Sequence, residues 1–161
     1  MIDTASDKVK IVDSCWSDVT IVSDYLRKAD RDEIAASHGV TPLQALEQGF
    51  AKSEYCRTVV YKGQPIAMFG IVPDPDGTTS AIWFLGTDTV DQLHYCFGRM
   101  SKKLVAEFLD IYPYLHNYVD ARNTKTIGWL KWCGAELEEP APYGVQNLMF
   151  RHFIFRRKAR V

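Results

Sequence analysis

The stretch Tyr118 to Glu138, YVDARNTKTIGWLKWCGAELE, sets an asparagine at the exit of a strand-like run and starts a short apolar helix from it. The Asn123 side chain suits that place, because its short amide can cap a helix and tolerate a tight turn. A second place where chemistry could gather is the helix start Gly86-Thr87-Asp88-Thr89-Val90-Asp91-Gln92. A helix start attracts anions through free backbone N–H groups and the positive end of its dipole. Here Asp88 and Asp91 oppose an anion, and no Lys or Arg follows until Arg99. Thr89 with Gln92 fits a capping box, which would satisfy the free N–H groups internally. A carboxylate ~4–6 Å from a phosphate group opposes it by about a kcal/mol near a surface.

The remaining reactive side chains are dispersed. Cys15, Cys56, Cys96 and Cys133 form no CxxC, and His38, His94, His116 and His152 form no HxxxH. No metal site is assigned, and the thiols read as reduced, small apolar residues. Trp83, Trp129 and Trp132 read as core aromatics, with an exposed Trp at a protein contact as the alternative. Arg151, Arg156, Arg157, Lys158 and Arg160 make the main basic cluster. It reads as a solvated end, with a grip on DNA, RNA or an acidic protein as the alternative.

The elements that must position these residues follow from periodicity and turn chemistry. Residues 1–8 read as a frayed end, and Lys8 to Cys15 as a strand. Asp18 to Ser37 predicts one helix with Val19, Val22, Tyr25, Leu26 and Ala29 on its apolar face, ended by Gly39. Thr41 and Pro42 open a second helix as N-cap and first residue, with Leu43, Leu46 and Phe50 buried. Tyr55 to Tyr61 and Pro65 to Val72 read as a hairpin, and Ser80 to Leu85 as a buried strand. Val90, Leu93, Phe97, Met100, Leu104, Phe108 and Ile111 predict one long amphipathic helix, stopped by Pro113. Leu115 to Ala121 reads as a strand, Thr124 to Cys133 as a helix ending at Gly134, and Ala135 to Leu137 as a strand start. A loop, EEPAPYGVQN, leads to a last strand, Leu148 to Phe155. The order β-α-α-β-β-β-α-β-α-β-β implies an α/β (α+β) mixed sheet with helices packed on it.

With 161 residues, 47% apolar and 24% charged, the chain reads as a single domain, 1–161, ending in a basic tail at 156–161. A net charge of −1 argues against a nucleic-acid binder as a whole. No signal peptide is expected, and no run approaches the ~20 apolar residues of a membrane span.

The element order is similar to that of the GNAT acetyltransferases. Asn123, Ile127, Trp129 and Gly134 stand where that superfamily has an asparagine after its fifth strand, then apolar and aromatic residues, then a glycine. A narrower resemblance is carried by WFLGTD, NYVDARNTKTIGWLKWCGA and the segment Tyr143 to Phe155, together spanning Trp83 to Phe155. These look like the internal virion protein A family of short-tailed lytic phages, itself GNAT-like. The resemblance implies a role in virion assembly or in the particle, with other phage virion or assembly proteins as partners. The implied location is the host cytoplasm during infection, with packaging into the virion.

The GNAT resemblance also implies where acetyl-CoA would sit. Its pantetheine would pair with the splayed edge of the fourth strand, at Phe84, Leu85 and Gly86, near Asn123. Its diphosphate would need a glycine-rich loop with an Arg or Gln, of which one glycine, Gly86, remains. The tyrosine that protonates the leaving thiolate falls near Leu130, and Tyr143 in the next loop is the substitute candidate. Asp30, Glu33 and Asp120 are the general-base candidates. The expectation is a pseudoenzyme with no cofactor, acting by contact. The alternative is an active acetyl-CoA-dependent N-acetyltransferase working on a host or phage amine.

Overall fold

The computed structural model describes residues 9–158; the expected frayed segment 1–8 and Arg160 lie outside them. In chain order the elements are β1 (Val9–Asp13), α1 (Trp16–Asp24), α2 (Lys28–His38), α3 (Pro42–Lys52), β2 (Tyr55–Tyr61), β3 (Gln64–Pro73) and β4 (Ser80–Gly86). Then follow α4 (Thr89–Gln92), α5 (His94–Ile111), β5 (Tyr114–Asp120), α6 (Thr124–Trp132), β6 (Glu136–Leu137), β7 (Ala141–Tyr143) and β8 (Leu148–Arg156).

The strands make one sheet in the order β1-β2-β3-β4-β5-β8-β6, with β7 also paired to β8. All pairings are antiparallel except β4 with β5. That parallel pair is joined by a helical crossover through α4 and α5, as parallel neighbours require. Period-2 alternation sends side chains to two cores. Phe69 and Ile71 of β3 join Phe97, Val105 and Phe108 of α5 and Ile127 and Leu130 of α6. Met68, the neighbour of Phe69 and so of opposite orientation, joins Val19, Val22 and Leu26 and Leu46 of α3 on the other face.

Local signals held where the backbone needed a special residue. Gly39 takes φ 66° and donates to the Ile34 and Ala35 carbonyls, closing α2. Thr41 caps α3 and Gln44 bonds back to it. The predicted helix Asp18–Ser37, however, is broken. Leu26 forms a bridge to Thr87, and the Arg27 N–H donates to the Gly86 carbonyl at 3.0 Å. Tertiary pairing at the end of β4 therefore overrides local helix propensity. The break rotates the second half, so that Tyr25 is 71% exposed and Asp30 is buried, while Ala29 faces solvent.

The predicted long helix is broken as well, at Leu93, whose dihedrals (φ −114°, ψ 26°) leave the helix. The kink buries both Val90 and Leu93. Leu43 and Ile111, expected inside, are exposed. The loop after β6 contains β7, three residues clipped to β8. The basic tail is partly structural. Arg156 pairs with Glu136 at 3.3 Å, and Arg157 donates to the Leu109 and Asp110 carbonyls near the end of α5. Cations suit that end of a helix.

Candidate functional site

β4 and β5 pair only at Ser80–Leu115 and Ala81–His116. Beyond that point they diverge, and the Asn117 side chain donates to the Ile82 carbonyl at 2.8 Å at the root of the split. The split is the centre of the molecule's concave features. Its two sides are furnished differently.

On one side α2 enters the wedge with its acidic residues. Asp30 Oδ2 accepts from the Gly86 N–H at 2.9 Å and from Arg27 Nε at 2.9 Å. Because Arg27 N–H already donates to the Gly86 carbonyl, both backbone groups of Gly86 are fastened by the start of α2. Residues alternate along a strand edge, so Ile82, Phe84 and Gly86 face the split together. Ile82 and Gly86 are tied, and Phe84 lies between the fastenings. Glu33 Oε1 accepts from the Asp120 N–H on the opposite strand. Asp30 and Glu33 thus each cap one wall of the wedge, leaving a cavity of about 270 Å³.

The electrostatics follow from burial. Burial pushes the Asp30 carboxyl up, against the pull of Arg27 and the Gly86 N–H. Burial also pushes Glu33 up to about 7, helped by the Asp30 and Asp120 charges and opposed by the Asp120 N–H. Asp120 is held below its ordinary value by its hydrogen bonds to Arg122, at 2.7 and 3.0 Å. The three general-base candidates therefore stand together at the split, in different states. Glu33 is the one poised near neutrality.

On the other side a cleft of about 660 Å³ runs between α5 and α6, reaching back to α4. Val90, Phe97 and Trp129 form an apolar floor, with Tyr95 and Trp132 at the rim. Trp132, expected in the core, is 55% exposed; its indole N–H donates to the Gly98 carbonyl at 3.1 Å. Trp129 does pack inside, edge-on to Phe84 at 5.2 Å. Trp83 is held by Ser53 at 2.8 Å.

The helix start differs from its sequence reading in two respects. Thr89 and Gln92 make no capping box. Asp88 is the N-cap residue and forms no side-chain cap bond, because the turn is tight and the Val90 and Asp91 amides donate to the Thr87 and Asp88 carbonyls at 3.1 Å. The acidic charge of Asp91 is also not left to repel: Arg27 lies 3.1 Å away and Lys125 3.2 Å away. Both cations are remote in sequence. Arg27 sits at the unpredicted helix break, so only the tertiary fold reveals it. Lys125 follows Asn123 in the first turn of α6 and was legible as a cation near that cap.

The other candidates fall as follows. Asn123 Oδ1 accepts from the Thr126 N–H at 3.2 Å, capping α6. Its amide nitrogen, the Thr87 hydroxyl and the Trp129 indole N–H are buried without a hydrogen-bond partner. Phe84 and Leu85 line the wedge cavity. A Cβ on Gly86 would lie 2.8 Å from Val90 Cγ2, so α4 packs on a position only glycine can occupy. Leu130 is buried. Tyr143 lines neither cavity but stacks at 3.9 Å on Tyr118, which lines the wedge, and burial raises its hydroxyl. Among the described residues no cluster of His, Cys, Asp or Glu could hold a metal, and no helix is long and apolar enough to cross a membrane.

The acetyl-CoA site implied by the fold can be tested against these groups. Pantetheine pairing needs an open β4 edge, and Asp30 and Arg27 fill it at Gly86. A diphosphate needs free amides, and those of Val90 and Asp91 are used. At Gly86, Val90 and Asp91, then, the residues present do not offer what the group needs.

A split between a fourth and a fifth parallel strand, flanked by helices on both faces, defines a GNAT-like fold. Solved structures agree. The ribosomal-protein-S18-alanine N-acetyltransferase from Escherichia coli superposes with a TM-score of 0.67 over 95% of this chain and 96% of that one, at 10% identity. The spermidine N-acetyltransferase from Vibrio cholerae, in complex with CoA and spermine, gives 0.66 over 93% and 96%, also at 10% identity. An acetyltransferase from Bacillus anthracis gives 0.66 over 92% and 95%, at 11%. At such identities the likeness is one of fold.

Sequence supplies the family. Residues 58–140 match the family described as bacteriophage T7, probable scaffold protein Gp13, and the chain belongs to it. The probable scaffold protein gp13 of Escherichia phage T7 is 32% identical over 110 residues, covering 65% of this chain and 75% of that protein. A phage morphogenesis role follows at that level.

Proposed function

We propose that this chain is a virion-associated morphogenesis protein, of the internal virion protein type, that works by contact and performs no acetyl transfer. The observation that carries the reading is the double fastening of Gly86 by Asp30 and Arg27. The chain spends on itself the strand edge that a pantetheine arm would use. The family relationship supplies the assembly context. On this reading the protein acts in the infected cell's cytoplasm and travels with the particle. Its partners are other phage proteins, and the described part of its basic tail holds the end of α5.

Glu33 favours a second reading, an N-acetyltransferase, because a carboxylate poised near neutrality beside an amine-sized wedge suits a general base. Acetyl-CoA titration with thermal melting separates the two. A ligand at ~100 times its dissociation constant adds roughly 2.7 kcal/mol, or roughly 5–10 °C for a domain of this size. No shift at millimolar acetyl-CoA is expected, together with co-sedimentation of the protein with assembly intermediates from infected cells. A shift of that size would restore the enzyme. Absence from both particles and intermediates would remove the assembly role.

A further inference from the structure

We propose that the cleft between α5 and α6 is a docking groove for an acidic, amphipathic helix of an assembly partner, an inference that rests on the contact role above. The floor is apolar, built from Val90, Phe97 and Trp129, and therefore suited to apolar anchors. The rim carries the opposite requirement. Arg99, exposed at the cleft, makes no hydrogen bond or ion pair among the described residues, and Lys102 lies 4.4 Å over the Trp132 ring. Lys125 completes the rim, and the one carboxylate there, Asp91, is already met by Arg27 and Lys125. Arg99 and Lys102 are thus left without a carboxylate partner among the described residues, beside an aromatic cleft, in a chain of net charge −1. Tyr95, 81% exposed, and Trp132 are large rings of the kind that anchor interfaces.

The shape narrows the occupant. A groove between two helices accepts a third, anchored at i, i+3, i+4 and i+7 and flanked by charges complementary to the rim. A nucleic acid would need its phosphates tracked by cations along the floor, and the floor is apolar.

The test uses a synthetic helical peptide of about four turns, with Leu and Phe on one face and Glu on both flanks. Its control carries Lys for every Glu. Tryptophan fluorescence should report binding of the Glu peptide on the order of tenfold or more tighter than the Lys peptide. The double variant Arg99→Glu with Lys102→Glu should erase that preference, with unchanged melting temperature. Trp132→Ala should weaken binding of both. Equal binding of the two peptides, or displacement of the Glu peptide by a single-stranded oligonucleotide at lower concentration, would overturn the groove. In infected cells the double variant should be lost from assembly intermediates that retain the wild type. If both are retained, the groove falls and the contact role stands. If the wild type itself is absent, the contact role falls first.

Discussion

The wedge between β4 and β5 and the cleft between α5 and α6 share a boundary, yet they have been treated oppositely. In the wedge, two carboxylates from α2 reach the two strand walls and close them with short hydrogen bonds. In the cleft, aromatic rings and basic side chains stay exposed, and the only carboxylate is neutralised from within. One hollow has its strand walls fastened by the chain itself and the other keeps rings and cations open at its rim. The difference teaches that depth alone does not mark a working site. Which polar groups have already been satisfied is the better guide, because a satisfied group has little left to offer a ligand.

The comparison breaks most easily at Asp30. Asp30→Ala would leave the Gly86 N–H without its acceptor in a buried place and the Arg27 guanidinium with Asp91 as its remaining carboxylate. A loss of about 3–5 kcal/mol in urea unfolding is expected, as for other broken buried pairs. A loss below about 1 kcal/mol would mean that α2 does not hold the wedge shut.

Glu33 sharpens the contrast through pH. Burial raises its carboxyl from 4.5 to about 7, so the folded protein binds that proton more tightly than the unfolded chain. Its contribution to stability is full below about pH 4.5, declines as pH rises from there to about 7, and is flat beyond. The decline is on the order of 1–3 kcal/mol. Glu33→Gln keeps an acceptor for the Asp120 N–H and should flatten this limb in urea titrations across pH. An unchanged slope would show that another group causes it.

A smaller effect is expected at Asn123, which caps α6 at the cleft's edge. Asn123→Ala should cost about 1 kcal/mol by the same unfolding assay. A much larger loss would mean that the side chain does more than cap.

How far the sequence could be read depended on whether the governing interaction was local. Gly39, the Thr41–Pro42 start and the Asn123 cap were legible, because each answers a need within a few residues of itself. The strands other than β7 were legible from their periodicity and turn signals, and the GNAT-like order from their succession. The break between α1 and α2 was not, since Leu26 and Arg27 answer to Thr87 and Gly86, some sixty residues away. The misreading of the α4 start had the same origin. Asp91 looked repulsive because both cations that neutralise it come from other elements. Trp132 reads as core in the sequence because aromatic character is visible there and solvent exposure is not.

The clasp of Arg27 and Asp30 on Gly86 has a consequence for excision. The stretch that identifies the family, 58–140, excludes α1, α2 and β8. A fragment trimmed to those limits would lose the clasp on one flank of the split. On the other it would lose the seven-pair ladder that β8 makes with β5. The part of the chain that is easiest to recognise is therefore not an autonomous one, and expression boundaries belong outside Val9 and Lys158.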